Sequence, residues 1–232
     1  MGIFRCDRAA TTMNAEMEFR AIEDAFGRIK QLAVSIDEGE TDAEWFVSLL
    51  FCLLSSCLRE YKHLKIGYEK YTGLGAWACR NLLELNIFTQ YVLLSERNAR
   101  RFIGDRLIDG TDIFESSRDW LLNLNPEAQT PELDETIRKT RELMEAERIE
   151  GVGHLRTRAL AAEMGMIDDY RYMNKLCSKL VHPTAWSVLA MNDEGELAQI
   201  KVILFNQGVR YGLEMGDAIR EHIDRHGLKP RQ

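Results

Sequence analysis

Several features that would assign a fold or a function are missing from these 232 residues. The sequence contains no Gly-rich phosphate loop, no His-Glu-x-x-His zinc motif, no EF-hand loop and no Gly-x-Ser-x-Gly nucleophile motif. It has no Cys-x-x-Cys pair, and the one pair of histidines four apart, His222 and His226, lies beside arginines near the chain end. We therefore predict neither a metal nor a cofactor. The five cysteines are expected to be reduced, buried thiols of a cytoplasmic protein.

Long apolar runs and an excess of basic charge are also missing. The longest apolar-rich stretch without a charge is 45–58, which has 14 residues, whereas a helix that spans a bilayer needs about 20. We therefore expect no membrane span. The formal net charge of −7 disfavours a broad electrostatic surface for nucleic acid, although a local basic patch is compatible with it.

Apolar residues recur at helical spacing along most of the chain, and no strand-like alternation or repeat occurs. The predicted helices cover 14–36, 41–71, 72–95, 95–121, 132–150, 156–165, 168–182 and 197–226, with a brief helical segment at 185–191. The segment 123–131 is a loop, and 1–12 and 227–232 are expected to be loose termini. The pattern predicts an all-α fold, a single-domain helical bundle of about seven helices over residues 1–232.

The stretch 72–95 is the most informative, because it is apolar nearly all round and carries two charges, Arg80 and Glu84. A helix of that composition is expected to be buried. The two charges are four residues apart and share one helix face, and their Arg-first order gives little local helix support. The pair predicts either a structural ion pair or a polar pocket within the bundle, and both interpretations stay open.

A second predicted helix, 168–182, carries a separate polar stripe. Its members recur at intervals of four, three and four residues: Arg171, Lys175, Ser178 and His182. The stripe is either the solvent face of an amphipathic helix or a wall of the pocket. Pro183 ends the helix, so His182 lies at a helix C-terminus, a position that favours a protonated imidazole.

The segments RNLLELNIF and YRYMNKLCSKLVHPTAW resemble motifs of a bacterial family of uncharacterised helical proteins. The resemblance covers about residues 40–225 and matches Arg80 and Glu84, then Tyr172 or Tyr170, Ser178 and His182. That family is similar in architecture to the higher-eukaryote-and-prokaryote nucleotide-binding (HEPN-like) helical proteins. Many of those are metal-independent ribonucleases of toxin–antitoxin and antiphage systems, and they are often dimers. Their active pattern is an arginine, then four to six residues, then a histidine, and it is not matched at His182, because residues 175–177 contain no arginine.

Two hypotheses for the function follow. In the first, Arg80 holds the phosphate of a nucleotide or RNA, Glu84 orients Arg80, and His182 is the acid or base of RNA cleavage, because imidazole exchanges protons near neutral pH. The pocket would be lined by Tyr170, Arg171, Tyr172, Lys175 and Ser178, and the resemblance implies a homodimer. In the second hypothesis, the chain is a non-enzymatic interaction module whose polar residues form a buried structural network. The charged helix 132–150 would then face a protein partner. Whether the chain is an enzyme stays open.

Overall fold

The structure, a computed structural model, describes residues 8–37, 44–146, 154–182 and 194–226. In those ranges it contains eight helices and no strand: α1 (Arg8–Asp37), α2 (Glu44–Glu69), α3 (Thr72–Leu94), α4 (Glu96–Leu124), α5 (Pro131–Ala146), α6 (Thr157–Glu163), α7 (Ile167–Val181) and α8 (Glu194–His226). The all-α fold class predicted from the sequence is therefore confirmed. The eight helices of the described ranges correspond to the eight predicted ranges, against a predicted total of about seven.

Most predicted helix boundaries lie within a few residues of the observed ones. Helix α3 begins at Thr72, as predicted, and α7 differs from its prediction by one residue at each end. The prediction of a loose start is wrong for residues 8–12, because α1 begins at Arg8, where the alanines at 9 and 10 are strong helix formers. The predicted loose ends at 1–7 and 227–232 and the predicted helical segment at 185–191 lie outside the described residues.

The helices group into two compact units. Unit 1 comprises Met1–Thr89 and Asp168–Gln232, and unit 2 comprises Gln90–Ile167. Unit 1 therefore holds α1, α2, most of α3, α7 and α8, while unit 2 holds α4, α5 and α6. Every residue that the sequence analysis placed in a site belongs to unit 1. The predicted single domain over 1–232 stays a prediction.

Within unit 1, α8 lies close to α1 because it presents glycines where the two helices touch. Gly212 and Gly216 are four residues apart and share one face of α8. A Cβ atom at Gly212 would lie 2.8 Å from Cζ of Phe26, and one at Gly216 would lie 2.7 Å from Cδ1 of Ile29. A side chain at Gly212 or Gly216 would therefore overlap Phe26 or Ile29, and that side chain would have to shift.

Helices α2 and α3 approach even more closely, at Gly67 and Gly75. A Cβ atom at Gly67 would lie 2.2 Å from the backbone nitrogen of Gly75, which is well inside any normal contact. The crossing comes one turn after His63 on α2 and two residues before Trp77 on α3. It therefore brings these two side chains to the same side of unit 1, where their ring centroids lie 5.7 Å apart.

The first half of α3 packs through its small residues. Ala76, Ala78 and Cys79 are completely buried, whereas Trp77 is 42% exposed. The prediction that 72–95 is buried all round is therefore wrong on one side of the helix. Small side chains allow the close approach to neighbouring helices, so the bulky residues between them are left on the outer face.

Unit 2 contains the helices α4 and α5, with α6 joined to them. Oγ of Ser95 caps α4 by accepting a hydrogen bond from the backbone nitrogen of Asn98 at 3.2 Å. The carboxylate of Asp105 on α4 accepts one from the backbone nitrogen of Leu155 at 2.9 Å, which fixes the segment that precedes α6. In neither unit does any described helix combine the length with the apolar character that crossing a membrane requires.

Candidate functional site

The ion pair predicted on α3 is present. Nε of Arg80 donates a hydrogen bond to Oε1 of Glu84 at 3.0 Å. The two side chains are 34% and 24% exposed, so the pair lies half-buried on the outer face of α3 and is not enclosed in the core. Nη1 and Nη2 of Arg80 have no hydrogen-bond partner among the described residues, which leaves them open to an anion.

Helices α3 and α7, which the sequence analysis singled out, are neighbours. The thiols of Cys79 on α3 and Cys177 on α7 are both completely buried and interact with each other. This contact, together with burial, raises the pKa of Cys79 far above its usual range, so the thiol is an inert packing group. The two helices approach each other a second time, at the start of α3 and the end of α7. A Cβ atom at Gly73 would be 3.5 Å from the carbonyl oxygen of Leu180.

The α7 residues predicted to line the pocket fall into two groups. The half-buried ones are Tyr170 and Ser178, and the exposed ones are Arg171, Tyr172, Lys175 and His182. Exposure of the second group agrees with the solvent face of an amphipathic helix, the other interpretation left open above. His182 follows the last residue of α7, and its backbone nitrogen donates to the carbonyl of Ser178 at 3.2 Å. The convergence of His182 with Arg80 and Glu84 stays a prediction.

One further α7 residue belongs with the half-buried group. Asn174 lies four residues from both Tyr170 and Ser178, so the three share one side of α7. Oδ1 of Asn174 is buried and has no hydrogen-bond partner in the described part of the chain. Buried polar atoms normally have a partner, so this oxygen marks a polar position that the described residues leave unsatisfied.

A polar cluster at the contact of α3 with α2 was missed in the sequence analysis. Glu60 on α2 is 2% exposed, and its carboxylate has three partners. Oε2 accepts a hydrogen bond from Nδ2 of Asn81 at 3.2 Å and lies 3.3 Å from Nδ1 of His63, while Oε1 accepts one from Nε of Arg59 at 3.3 Å. A carboxylate oxygen accepts hydrogen bonds, so Nδ1 of His63 is the ring nitrogen that donates to Glu60, and Nε2 is the ring nitrogen without a partner among the described residues.

The exposed part of this cluster forms one surface with the Arg80–Glu84 pair. Trp77, Arg80 and Glu84 follow at intervals of three and four residues and therefore share the outer face of α3. The His63 side chain, 33% exposed, lies beside the Trp77 ring. We refer to this surface as the α2–α3 face and define it by Arg59, Glu60, His63, Trp77, Arg80, Asn81 and Glu84.

The sequence holds one weak signal for this cluster. Glu60 and His63 are three residues apart on a helix, a spacing that lets a carboxylate reach an imidazole. They lie in the segment 59–71, which looks half-solvated from its charges alone. Glu60 is nevertheless buried, because α3 covers α2 at this point and supplies Asn81 as a partner.

A third polar network joins α3 and α7 to α8. Nδ2 of Asn86 donates to Oε2 of Glu214 at 2.8 Å. Arg210 donates from Nη1 to Oε1 of Glu214 at 3.3 Å and from Nη2 to Oδ2 of Asp169 at 2.7 Å. Two carboxylates thus neutralise this guanidinium, and the network ties helices together.

Within the described residues, no group of three or more His, Cys, Asp or Glu side chains is arranged to hold a metal ion.

Comparison with known proteins assigns the chain to a family whose function is unknown. A family model described as a family of unknown function, DUF5677, matches residues 47–198, and the chain belongs to this family. No curated protein and no solved structure matches the chain. The matched range includes the whole α2–α3 face and all of α7. The predicted membership of an uncharacterised family of helical proteins is confirmed at this level, and the HEPN-like relationship stays a prediction.

Proposed function

We propose that the α2–α3 face, with the adjoining side of α7, binds a nucleotide or RNA through its phosphate, as in a HEPN-like helical protein. In this proposal the protein is a metal-independent ribonuclease of a defence or toxin system. One observation carries the binding proposal: Arg80, with two nitrogens that have no partner within the described residues, lies one helical turn from a tryptophan that is 42% exposed. A guanidinium suits phosphate, and an exposed indole suits a stacked base.

The details of the Arg80–Glu84 pair agree with this role. Glu84 uses Nε of Arg80 and so fixes the guanidinium plane, while both terminal nitrogens stay available for two hydrogen bonds to one phosphate. The Glu84 carboxylate also cancels most of the positive charge of Arg80 for a ligand that is still far away. We therefore expect short-range recognition of one or two phosphates, by Arg80 and the 64%-exposed Arg59, and not a broad basic surface.

This expectation can be tested by its salt dependence. Each phosphate contacted on a single strand contributes about 0.7 to the slope of log affinity against log salt. Two contacts therefore give a slope of about 1.4 in magnitude. His182, exposed at the end of α7, stays in this proposal as a candidate acid or base, as first predicted.

The direct test is binding of a fluorescently labelled single-stranded RNA, followed by anisotropy, to the native chain and to Arg80→Ala. A hydrogen bond to a charged group is worth about 1.5–3 kcal/mol, so the substitution should weaken binding by about 10- to 100-fold. Arg138→Ala is a matched control: Arg138 also pairs with a glutamate four residues later, Glu142, but lies exposed on α5 in unit 2. Native-like binding by Arg80→Ala, or no binding by the native chain, would contradict the proposal.

Thermal stability separates this proposal from the alternative of a non-enzymatic interaction module with a structural network. Because Arg80 and Glu84 are both partly exposed, their pair contributes at most about 1 kcal/mol to the free energy of unfolding. Arg80→Ala should therefore change the melting temperature only slightly while it weakens RNA binding by about 10- to 100-fold. A fully buried structural pair would lose about 3–5 kcal/mol when one partner is removed. A large loss of stability with unchanged binding would favour the alternative.

One observation supports the interaction module as a second candidate. Of the large apolar side chains on helix α4, Ile113, Trp120 and Leu124 are the most exposed, at 63%, 62% and 65% of their surfaces. Their spacing of seven and four residues places them on one side of the helix, and exposed apolar side chains grouped in this way favour a binding surface. The charges on α5, in contrast, largely neutralise one another, as Arg138 does with Glu135 and Glu142.

A further inference from the structure

We infer that Glu60 and His63 form a proton-transfer site on the α2–α3 face, in which Nε2 of His63 is the base that activates the 2′-hydroxyl of a bound RNA. The inference rests on the proposed function, because it requires RNA at this face. It assigns catalysis to a histidine on α2 that belongs to neither of the helices first singled out in the sequence.

The geometry of the pair is that of an imidazole held by a buried carboxylate. The Glu60 side chain is 3% exposed and that of His63 is 33% exposed, so the carboxylate lies beneath the ring and the ring reaches solvent. Nδ1 points to the carboxylate, 3.3 Å away, and Nε2 has no hydrogen-bond partner among the described residues. A carboxylate in this position selects the tautomer that leaves Nε2 basic, and it stabilises the imidazolium that forms when Nε2 takes a proton.

Two further residues keep the carboxylate in place. Asn81 on α3 holds Oε2 and Arg59 holds Oε1, so Glu60 cannot rotate away from the imidazole without losing hydrogen bonds. Asn81 acts across a helix–helix contact, which makes the orientation of His63 depend on the packing of α2 against α3. Such fixed support is what separates a positioned base from a surface histidine.

Trp77 gives the site a place for the substrate. The His63 and Trp77 ring centroids lie 5.7 Å apart, and Arg80 is one turn beyond Trp77 on the same face. A nucleotide whose base stacks on the indole has its ribose and phosphate within reach of His63 and Arg80, respectively. Stacking of this kind tolerates any base, so the expected substrate is a single-stranded RNA without strict sequence preference.

The reaction balances without a metal or a redox partner. Nε2 of His63 takes the proton of the 2′-hydroxyl, and the 2′-oxygen forms a bond to the adjacent phosphorus. The bond from phosphorus to the 5′-oxygen of the next nucleotide breaks, and that oxygen takes a proton from water. The products are a 2′,3′-cyclic phosphate and a 5′-hydroxyl, and the imidazolium returns its proton to solvent. Arg80 faces the charge that develops on the phosphoryl oxygens.

The experiment measures cleavage and binding of the same single-stranded RNA in the presence of a metal chelator. The native chain should cleave RNA and leave the corresponding DNA intact, because DNA has no 2′-hydroxyl. His63→Gln should cut kcat by about 100-fold or more with RNA binding unchanged within a few-fold. The glutamine amide can still donate to Glu60, which preserves folding, but glutamine is no base. His154→Ala is a control, since His154 also contacts a carboxylate, that of Asp112 at 3.0 Å, in unit 2.

Glu60 is a positioning residue, and its test requires a different readout. Glu60→Gln should lower kcat and leave KM nearly unchanged, because it disturbs the base and not the Trp77 and Arg80 contacts. Binding without cleavage by the native chain, or native-like cleavage by His63→Gln, would overturn the inference and leave the proposed binding function standing. Failure of the native chain to bind RNA would overturn both.

Discussion

Replacement of Gly67 by alanine is the substitution that most directly tests how the α2–α3 face is built. The added Cβ atom would lie 2.2 Å from the nitrogen and 2.3 Å from Cα of Gly75, and ordinary contacts begin at 3.4 Å. Both atoms belong to the backbone of α3, so no side-chain rotation can relieve the overlap. Helices α2 and α3 must separate by roughly 1 Å to accept the methyl group.

The expected magnitude follows from two opposing terms. Overpacking of a close helix contact costs about 1–3 kcal/mol, and a backbone clash belongs at the upper end of that range. Alanine in place of glycine within a helix returns about 0.5–1 kcal/mol through the lower entropy of the unfolded chain. The net loss in the free energy of unfolding is therefore about 2 kcal/mol, which lowers the melting temperature of a chain of this size by about 4–8 °C.

Gly27→Ala supplies the matched control. Gly27 also lies within a helix of unit 1, but a Cβ atom there would meet nothing within 4 Å. It should therefore keep the full gain of about 0.5–1 kcal/mol and melt slightly above the native chain. Circular dichroism during heating and urea titration measures both variants. If Gly67→Ala were as stable as Gly27→Ala, the close approach of α2 to α3 would be refuted.

Two further substitutions test other parts of unit 1. Asn86→Ala removes a hydrogen-bond donor that is 1% exposed and lies 2.8 Å from Glu214. Urea unfolding should therefore show a loss of about 1.5–3 kcal/mol in the free energy of unfolding. No loss would mean that this network does not stabilise the fold. His222 packs on Phe46, and burial lowers the pKa of its imidazole in the folded chain. At pH values just below the ordinary pKa of histidine, the unfolded chain therefore binds more protons than the folded chain. The stability that depends on a neutral His222 is therefore present at neutral pH and is lost as the pH falls through that region. His222→Phe should make the urea midpoint less sensitive to pH between about 7 and 5.

Helix boundaries were predictable because local signals determine them. The polar residues before Thr72 mark the start of α3 in the sequence itself, and the proline at 183 marks the end of α7. The apolar spacing within each segment predicts a helix. Which side of α3 faces the core was not predictable by the same means. Leucines and isoleucines occur all round that helix, and the small side chains Ala76, Ala78 and Cys79, not the large Trp77, decide where it touches its neighbours.

The α2–α3 face was predictable only in part, for a related reason. Arg80 and Glu84 were identified because two charges on an apolar helix are conspicuous, and their pairing needs nothing beyond α3. Glu60 and His63, in contrast, lie among other charges on α2, and their spacing of three residues is a weak local signal. Their roles come from a helix that is adjacent in space, through Asn81 and Trp77, and a single sequence does not specify which helices meet.

Two arginines of unit 1, Arg80 and Arg210, show why phosphate is expected at one place and not at another. Arg210 donates to carboxylates on both α7 and α8 and lies over the Tyr211 ring, at 4.6 Å from the ring centroid. An anion that approached it would have to displace Asp169 or Glu214 and would meet their charge. Arg80 gives one nitrogen to one carboxylate and keeps a two-pronged donor directed away from it. An anionic ligand therefore gains more from Arg80 than from Arg210, and the network around Arg210 is left to hold α3, α7 and α8 together.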